Sequence, residues 1–505
     1  MYSFNLMMMN SIRNRNTSPT RRLSSAGKYS KNDEEVSTWI ERRDDDESHD
    51  LRREGGDDER EGESPQVMSK ILFEAINDYN ENSLSSFDLV AGNTFVSNAV
   101  RNVMSSMLCN SYCNGTPGSR LFGGCEEIDR IEIMTKDLIC HMFKCNYCEV
   151  QLLSGMLANI AAYHAMLPET GAVVMACSAK HGGHYSHNRG GPLTRFFGAT
   201  VVETPWVSNT YNVDIEKLDE AMGKDKPHLL ILGWSEILFE YDLPTIRKVC
   251  DKHHCKLMYD MSHVAGLIAG GVFQPDVMCY ADIVTSSTGK SLHSADHGII
   301  LYNDQTLTPK IREAVMPLLT SNTHFHETAA LAMTMMEWKE FGNSYAKQVV
   351  ANTKALSAAL SRRGFTVLCE ENDYSNTHQI LVSLEMNGKV IMSGQEATLK
   401  LDKANIRTNP QELPTDTGES GATGLRFGTQ VLTRRGFKEA DMILVADAIY
   451  EALVDTTCDS DLEAISNKVA SIARNFKKVH YSFDDEVQEP DSTIITNARA
   501  PTMIE

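Results

Sequence analysis

The chain runs to 505 residues, 42% of them hydrophobic, which is length and apolar content enough for more than one buried core. A formal charge of −20 argues against nucleic acid as a general partner, because a phosphate backbone is bound by a positive face, and no apolar run is long enough to span a bilayer. Twelve cysteines in a chain of this length, without an apolar-cored signal peptide, read as reduced thiols rather than a disulfide framework.

The first 65 residues lack hydrophobic periodicity and are expected to be disordered. Residues 1 to 31 hold six Lys or Arg and no acid, the composition of an organellar presequence, although Asn and Ser interrupt any amphipathic helix. Residues 33 to 65 hold fifteen acids against five Lys or Arg. Cytoplasmic and mitochondrial locations both stay open. A large α/β domain is expected over 66–325, a linker helix and a smaller α+β domain over 326–483, and a flexible tail over 484–505.

Within the first of these, Cys145 and Cys148 form KCNYCE, but no second pair stands at zinc-ribbon spacing, so two small buried thiols are expected and no metal is assigned. LLSGMLAN ends an apolar run with Ser154 and Gly155 and opens a helix at Met156; free N–H groups at a helix start suit a phosphate, though Ser-Gly there is also an ordinary cap. KHGGHYSH sets His181, His184 and His187 at intervals of three around paired glycines. That interrupted spacing is poor for a metal and favours a stacking role for one imidazole.

VVMACS, HLLILGWS, CKLMYD and DIVTSS read as buried strands, with helices such as LPTIRKVCDKHH between them. Such alternation gives a mostly parallel central sheet with helices on both faces and a ligand at the strands' carboxyl ends, where Ser235, Asp260 and Lys290 fall. Singly, Asp260 would cap a helix and Lys290 would be a solvated loop residue. As a pair at the ends of two buried strands they suit pyridoxal phosphate: a lysine amine to condense with the aldehyde and a carboxylate to keep the ring nitrogen protonated. Further on, HETAALAMTMMEWKEFG predicts a long helix, TVLCE and QILVSL predict strands, and ADMILVADAIYEALV predicts a last helix. GLRFGT carries Arg426, whose guanidinium could clamp a substrate carboxylate or simply face solvent.

The order of six stretches, TPGSRLFGGCEEID, SGMLANIAAYHAML, HGGHYSH, YDMSHVAGLIAGGVF, TSSTGKSL and GLRFGTQVLTRRGF, resembles that of serine hydroxymethyltransferases, pyridoxal phosphate enzymes of fold type I. The resemblance runs from DLVAGN at residue 88 to beyond RRGFKEAD. It implies that Lys290 condenses with the cofactor, Asp260 pairs with the ring nitrogen, His184 stacks on the ring and His263 sits near the phenolic oxygen. It implies a phosphate on Ser154, Gly155 and Met156 with help from Ser287, Ser235 beside the ring, Arg426 on the substrate carboxylate and Tyr112 close to the reacting lysine. It also implies an amino-acid substrate, tetrahydrofolate as one-carbon acceptor, and a homodimer or dimer of dimers with shared sites.

Departures from the family pattern cluster where specificity lies. Asn114 stands where the family has a proton-handling glutamate, Leu121 and Phe122 replace two tyrosines, Gly289 precedes the lysine in place of histidine, and Asp296 with His297 replaces an arginine. MPLLTSNT replaces a glycine-rich segment, and Gln411 falls near a folate-contacting asparagine. Three readings follow: interconversion of serine and glycine with folate, a folate-independent aldolase acting on threonine-like substrates, and a scaffold that keeps the fold.

Overall fold

The apolar runs become strands of one twisted sheet because each is buried on both faces. The structure, a computed structural model, describes residues 64–486 apart from positions 387, 417–420 and 457. The expected presequence and acidic segment therefore lie outside the described residues, except that Ser64 caps helix α1 (Pro65–Ser85) by accepting from Val67 N. Most of the expected tail lies outside them too; Asp484, at its start, accepts hydrogen bonds from Asn98 N and Ala99 N.

In chain order the elements that build the site are α2 (Glu126–Phe143), β1 (Tyr147–Leu152), α3 (Gly155–Met166), β2 (Val173–Ala176), β3 (Thr200–Glu203), β4 (Leu229–Leu232), α4 (Leu243–Lys252), β5 (Lys256–Asp260), β6 (Ile283–Ser287) and β7 (Gly298–Tyr302). The sheet order is β1-β7-β6-β5-β4-β2-β3. All neighbours are parallel except β7, which runs against both β6 and β1. The segment between β6 and β7 is too short to carry a crossover helix, so β7 has to turn back beside β6.

Side chains alternate between two cores, which is why the strands read as unbroken apolar runs. Leu230, Leu232, Leu257, Tyr259 and Val284 pack into one. Leu229, Ile231, Met258 and Ile283 pack into the other.

The long helix α5 (Phe325–Arg362) then leads to β8 (Thr366–Val367), β9 (Gln379–Ser383), β10 (Asn409–Gln411) and β11 (Gly424–Gly428), followed by helix α6 (Glu439–Tyr450). These strands form an antiparallel sheet in the order β8-β9-β11-β10, over a third core that includes Leu356, Ile380, Leu425, Phe427 and Val445. The mostly parallel α/β architecture and the later α+β sheet thus match the expectation from sequence. Gln379 links the two sheets, donating from Nε2 to Ser235 O (2.9 Å) and accepting from Ile237 N (3.1 Å). That brace fixes the loop after β4. Among the described residues no helix is long and apolar enough to cross a membrane.

Candidate active site

A cavity of about 180 Å³ opens at the carboxyl ends of β4, β5 and β6, and its walls bring together nine of the residues singled out in the sequence: Ser154, Gly155, Met156, His184, Ser235, Asp260, His263, Ser287 and Lys290. Parallel strands place their ends side by side, and the loops that follow converge there.

Asp260 ends β5, where its register partner in β6 is Thr285. Its Oδ2 accepts from Asn159 Nδ2 (2.9 Å) and meets His187 Nε2 at 3.2 Å; its Oδ1 accepts from Ser262 N (3.0 Å) and Ser262 Oγ (2.5 Å). Asn159 is itself held by the Thr285 hydroxyl at 2.6 Å, and Tyr163 Oη lies 2.5 Å from His187 Nδ1. Burial works to raise the Asp260 carboxyl, but His187, the Ser262 hydroxyl and the Lys290 charge outweigh it and hold the group well below the usual carboxylate range. A buried carboxylate with this many donors stays ionised.

Lys290 follows β6 by three residues, and its Nζ is 3.4 Å from His263 Nε2. Burial pulls the ammonium's pKa down; Asp260 and Asp296 oppose this and Arg426 adds to it, so the amine loses its proton more readily than a surface lysine. His263 is kept neutral by burial and by the Lys290 and Arg426 charges. Its ring stacks on His378 at 6.0 Å, and its buried Nδ1 has no hydrogen-bond partner among the described residues. His184 is pulled down to about 4, by burial first and then by His187, and its Nδ1 meets Ser186 Oγ at 2.7 Å.

At the other end of the cavity Ser154 caps α3 by accepting from Leu157 N (3.3 Å). A Cβ on Gly155 would lie 2.8 Å from Ser287 Cβ, so the helix start can pack this close to β6 only with glycine there. Ser287 Oγ donates to Asp296 Oδ1 (3.0 Å), which places a carboxylate on the same wall.

The other two expected residues lie outside the cavity. Arg426 projects from β11 toward the loop after β4, where its Nη1 donates to Ser235 O (3.3 Å) and Glu236 Oε1 (3.0 Å). Tyr112 is not among the residues that line the cavity. It is 54% exposed, its hydroxyl lies 2.8 Å from Ser321 Oγ, and its ring packs edge-on against Phe122. Asn114 Oδ1 is buried with no partner among the described residues.

The three neighbouring histidines take different partners. His181 stacks on Trp206 and pairs with Glu203, while His184 lines the cavity and His187 meets Asp260. The thiols of Cys145 and Cys148 are free and buried, as expected.

Asn159, His187, Ser262 and Glu236 are the polar groups that sequence reasoning passed over. His187 stood in the histidine run and Glu236 directly after Ser235, but nothing local pointed either of them at its partner.

As a donor set, the cavity suits pyridoxal phosphate. It offers an ionised buried carboxylate, a buried amine of lowered pKa, neutral imidazoles with an open buried nitrogen, and a glycine-packed helix start with free N–H groups.

The sequence profile of a family described as serine hydroxymethyltransferase matches residues 66–449. Among curated relatives, the serine hydroxymethyltransferase of Methanothermobacter thermautotrophicus is 33% identical over 424 residues, which is 84% of this chain and 97% of that one. Those of Methanosphaera stadtmanae and Methanocaldococcus jannaschii are 36% and 34% identical, each covering 79% of this chain and 92% of their own.

Proposed function

The chain belongs to the serine hydroxymethyltransferase family, and from that premise we propose that it is a pyridoxal phosphate enzyme interconverting L-serine and glycine, with tetrahydrofolate as one-carbon acceptor. The observation that carries the reading is the convergence of Lys290, Asp260 and the α3 start on one cavity.

Bound there, pyridoxal phosphate supplies an aldehyde for an amine and a conjugated ring that draws electrons from the amino acid's Cα. Ser154 Oγ and the N–H groups of Gly155 and Met156 would hold the phosphate, with Ser287 beside them. Asp260, fixed in its charged form by His187, Asn159 and Ser262, would keep a proton on the ring nitrogen. His184, uncharged at neutral pH, would stack without adding positive charge to the ring. Lys290 would give up and take back a proton at Nζ, and His263 at 3.4 Å would accept or return it through Nε2. Ser235 would line the ring site. Arg426 would bind the substrate carboxylate and so orient the bond to be broken.

Every relative named above is a hydroxymethyltransferase, which favours neither the aldolase nor the scaffold reading. The test is to incubate the cofactor-loaded protein with L-serine, with and without tetrahydrofolate, and to quantify glycine. Folate-stimulated glycine is expected; glycine formation that ignores folate, or none at all, would overturn the proposal.

A homodimer or dimer of dimers is part of the same proposal. Tyr112 is exposed and does not line its own cavity, and α1 leaves Met68, Leu72, Phe73 and Tyr79 exposed, an apolar surface that a second copy would cover. Lys290→Ala and Tyr112→Phe chains, each inactive alone, should regain activity when mixed if the sites are shared. A cytoplasmic or mitochondrial location would be decided by fusing residues 1–40 to a fluorescent protein.

A further inference from the structure

The Arg426 guanidinium already holds a carboxylate. Glu236 is buried at 6% exposure and sits 3.0 Å from Arg426 Nη1. It is locked in place from behind: Ser235 N and Glu236 N both donate to Gly182 O (2.7 and 3.2 Å), and a Cβ at Gly182 would lie 2.4 Å from Glu236 Oε2. Gly182 has φ +90°, so the backbone that admits Glu236 depends on glycine there. A second carboxylate on Arg426 is opposed while Glu236 keeps both its charge and its contact, because two like charges on one largely buried guanidinium repel.

We propose that Glu236 is a specificity-determining residue that occupies Arg426 in the absence of substrate, and that a substrate carboxylate binds by replacing it as Glu236 takes up one proton. The proposal rests on Arg426 being the carboxylate binder. The step balances: a charged Glu236–Arg426 pair, a substrate carboxylate and a proton from solvent become a carboxylate–Arg426 pair and a neutral Glu236.

The groups facing Glu236 are Arg426 and Gln411, which favour its charge, and Glu412, which opposes it; Cys177 and Tyr211 lie close enough to feel its charge. Burial is the largest influence on Glu236 and raises its pKa, so the neutral form is accessible once Arg426 turns to the substrate.

The device selects ligands. A carboxylate has to outcompete an internal one, and a neutral amide gains nothing from Arg426 until Glu236 leaves.

The test uses the cofactor-loaded protein and glycolate, a carboxylate with no amine of its own to titrate, with glycolamide as the neutral control. Calorimetry in two buffers of different ionisation heat gives both Kd and the proton count. The wild type should take up about one proton per glycolate, with Kd rising about tenfold per pH unit above the Glu236 pKa. Glu236→Gln should bind glycolate about tenfold or more tighter at the alkaline end, with no pH slope, because an amide sets no competing charge on Arg426 and does not titrate. A role in merely positioning Arg426 would weaken binding in that variant instead.

A flat pH dependence with no proton uptake in the wild type, or unchanged or weaker binding in Glu236→Gln, would overturn the inference while leaving Arg426 as the carboxylate binder, provided glycolate still outbinds glycolamide. Equal binding of glycolate and glycolamide by both proteins would overturn the Arg426 assignment and the inference with it. The wild-type proton count stands alone if the variant does not fold.

Discussion

Gly155→Ala tests the cup at the start of α3 with a single methyl group. The new Cβ would lie 2.8 Å from Ser287 Cβ, 2.9 Å from Ser287 N and 3.1 Å from Ser287 Cα. Carbon atoms rest at about 3.5–4.0 Å, so the two segments have to separate by about 0.7 Å or more. Ser287 cannot give way. It is paired with Gly298 in the sheet, and its N–H is held by Ser262 Oγ at 2.8 Å.

The helix start therefore moves, at an overpacking cost of about 1–3 kcal/mol. It also carries the Ser154, Gly155 and Met156 donors off their aim. Losing one charge-assisted hydrogen bond, worth about 1.5–3 kcal/mol, weakens cofactor binding by about tenfold to a hundredfold. Titrating the cofactor-free protein with pyridoxal phosphate while following tryptophan fluorescence measures the second effect, and urea unfolding measures the first. Gly92→Ala, whose methyl would meet nothing within 4 Å, is the control and should change neither. Unchanged affinity and stability in Gly155→Ala would refute the packing of α3 on β6 and the cup built on it.

Asp260→Asn should lower stability at pH 7 by about 1–3 kcal/mol, because an amide cannot accept all the donors that converge on the carboxylate. The folded pKa of Asp260 lies below its unfolded value of about 3.9, so its contribution is complete above that pH and is lost as pH falls toward the folded value. Urea midpoints should accordingly show the gap between wild type and variant closing below about pH 4, and a gap that stays constant in acid would contradict this. Glu337→Leu should cost about 3–5 kcal/mol by urea unfolding, since it strands the buried Arg434 guanidinium that Glu337 meets at 2.5 Å; a loss under 1 kcal/mol would show that Arg434 finds another partner.

What the sequence disclosed was contiguous. Ser154, Gly155 and Met156 lie in one stretch, Asp260 and Lys290 each end an apolar run, and the alternation of strands and helices placed Ser235, Asp260 and Lys290 at the carboxyl ends of one sheet's strands. The partners that set their chemistry were hidden by distance along the chain. Asn159 and Asp260 are 101 residues apart, and Glu236 and Arg426 are 190 apart. No periodicity links such pairs; they meet only because β5 arrives beside helix α3 and β11 beside the loop after β4. Arg426 read as a free clamp for the same reason, since Glu236 follows an apolar strand and carries no local sign of a cationic partner. Tyr112 was expected near Lys290 on resemblance alone, with no periodicity or motif of its own to place it there.

Reduction with borohydride after loading with pyridoxal phosphate, followed by peptide mapping, tests the assignment of Lys290 as the amine that holds the cofactor. A pyridoxyl group is expected on the peptide that carries Lys290 and none anywhere in Lys290→Ala. A label on another lysine, or an unlabelled Lys290 in the loaded wild type, would contradict it.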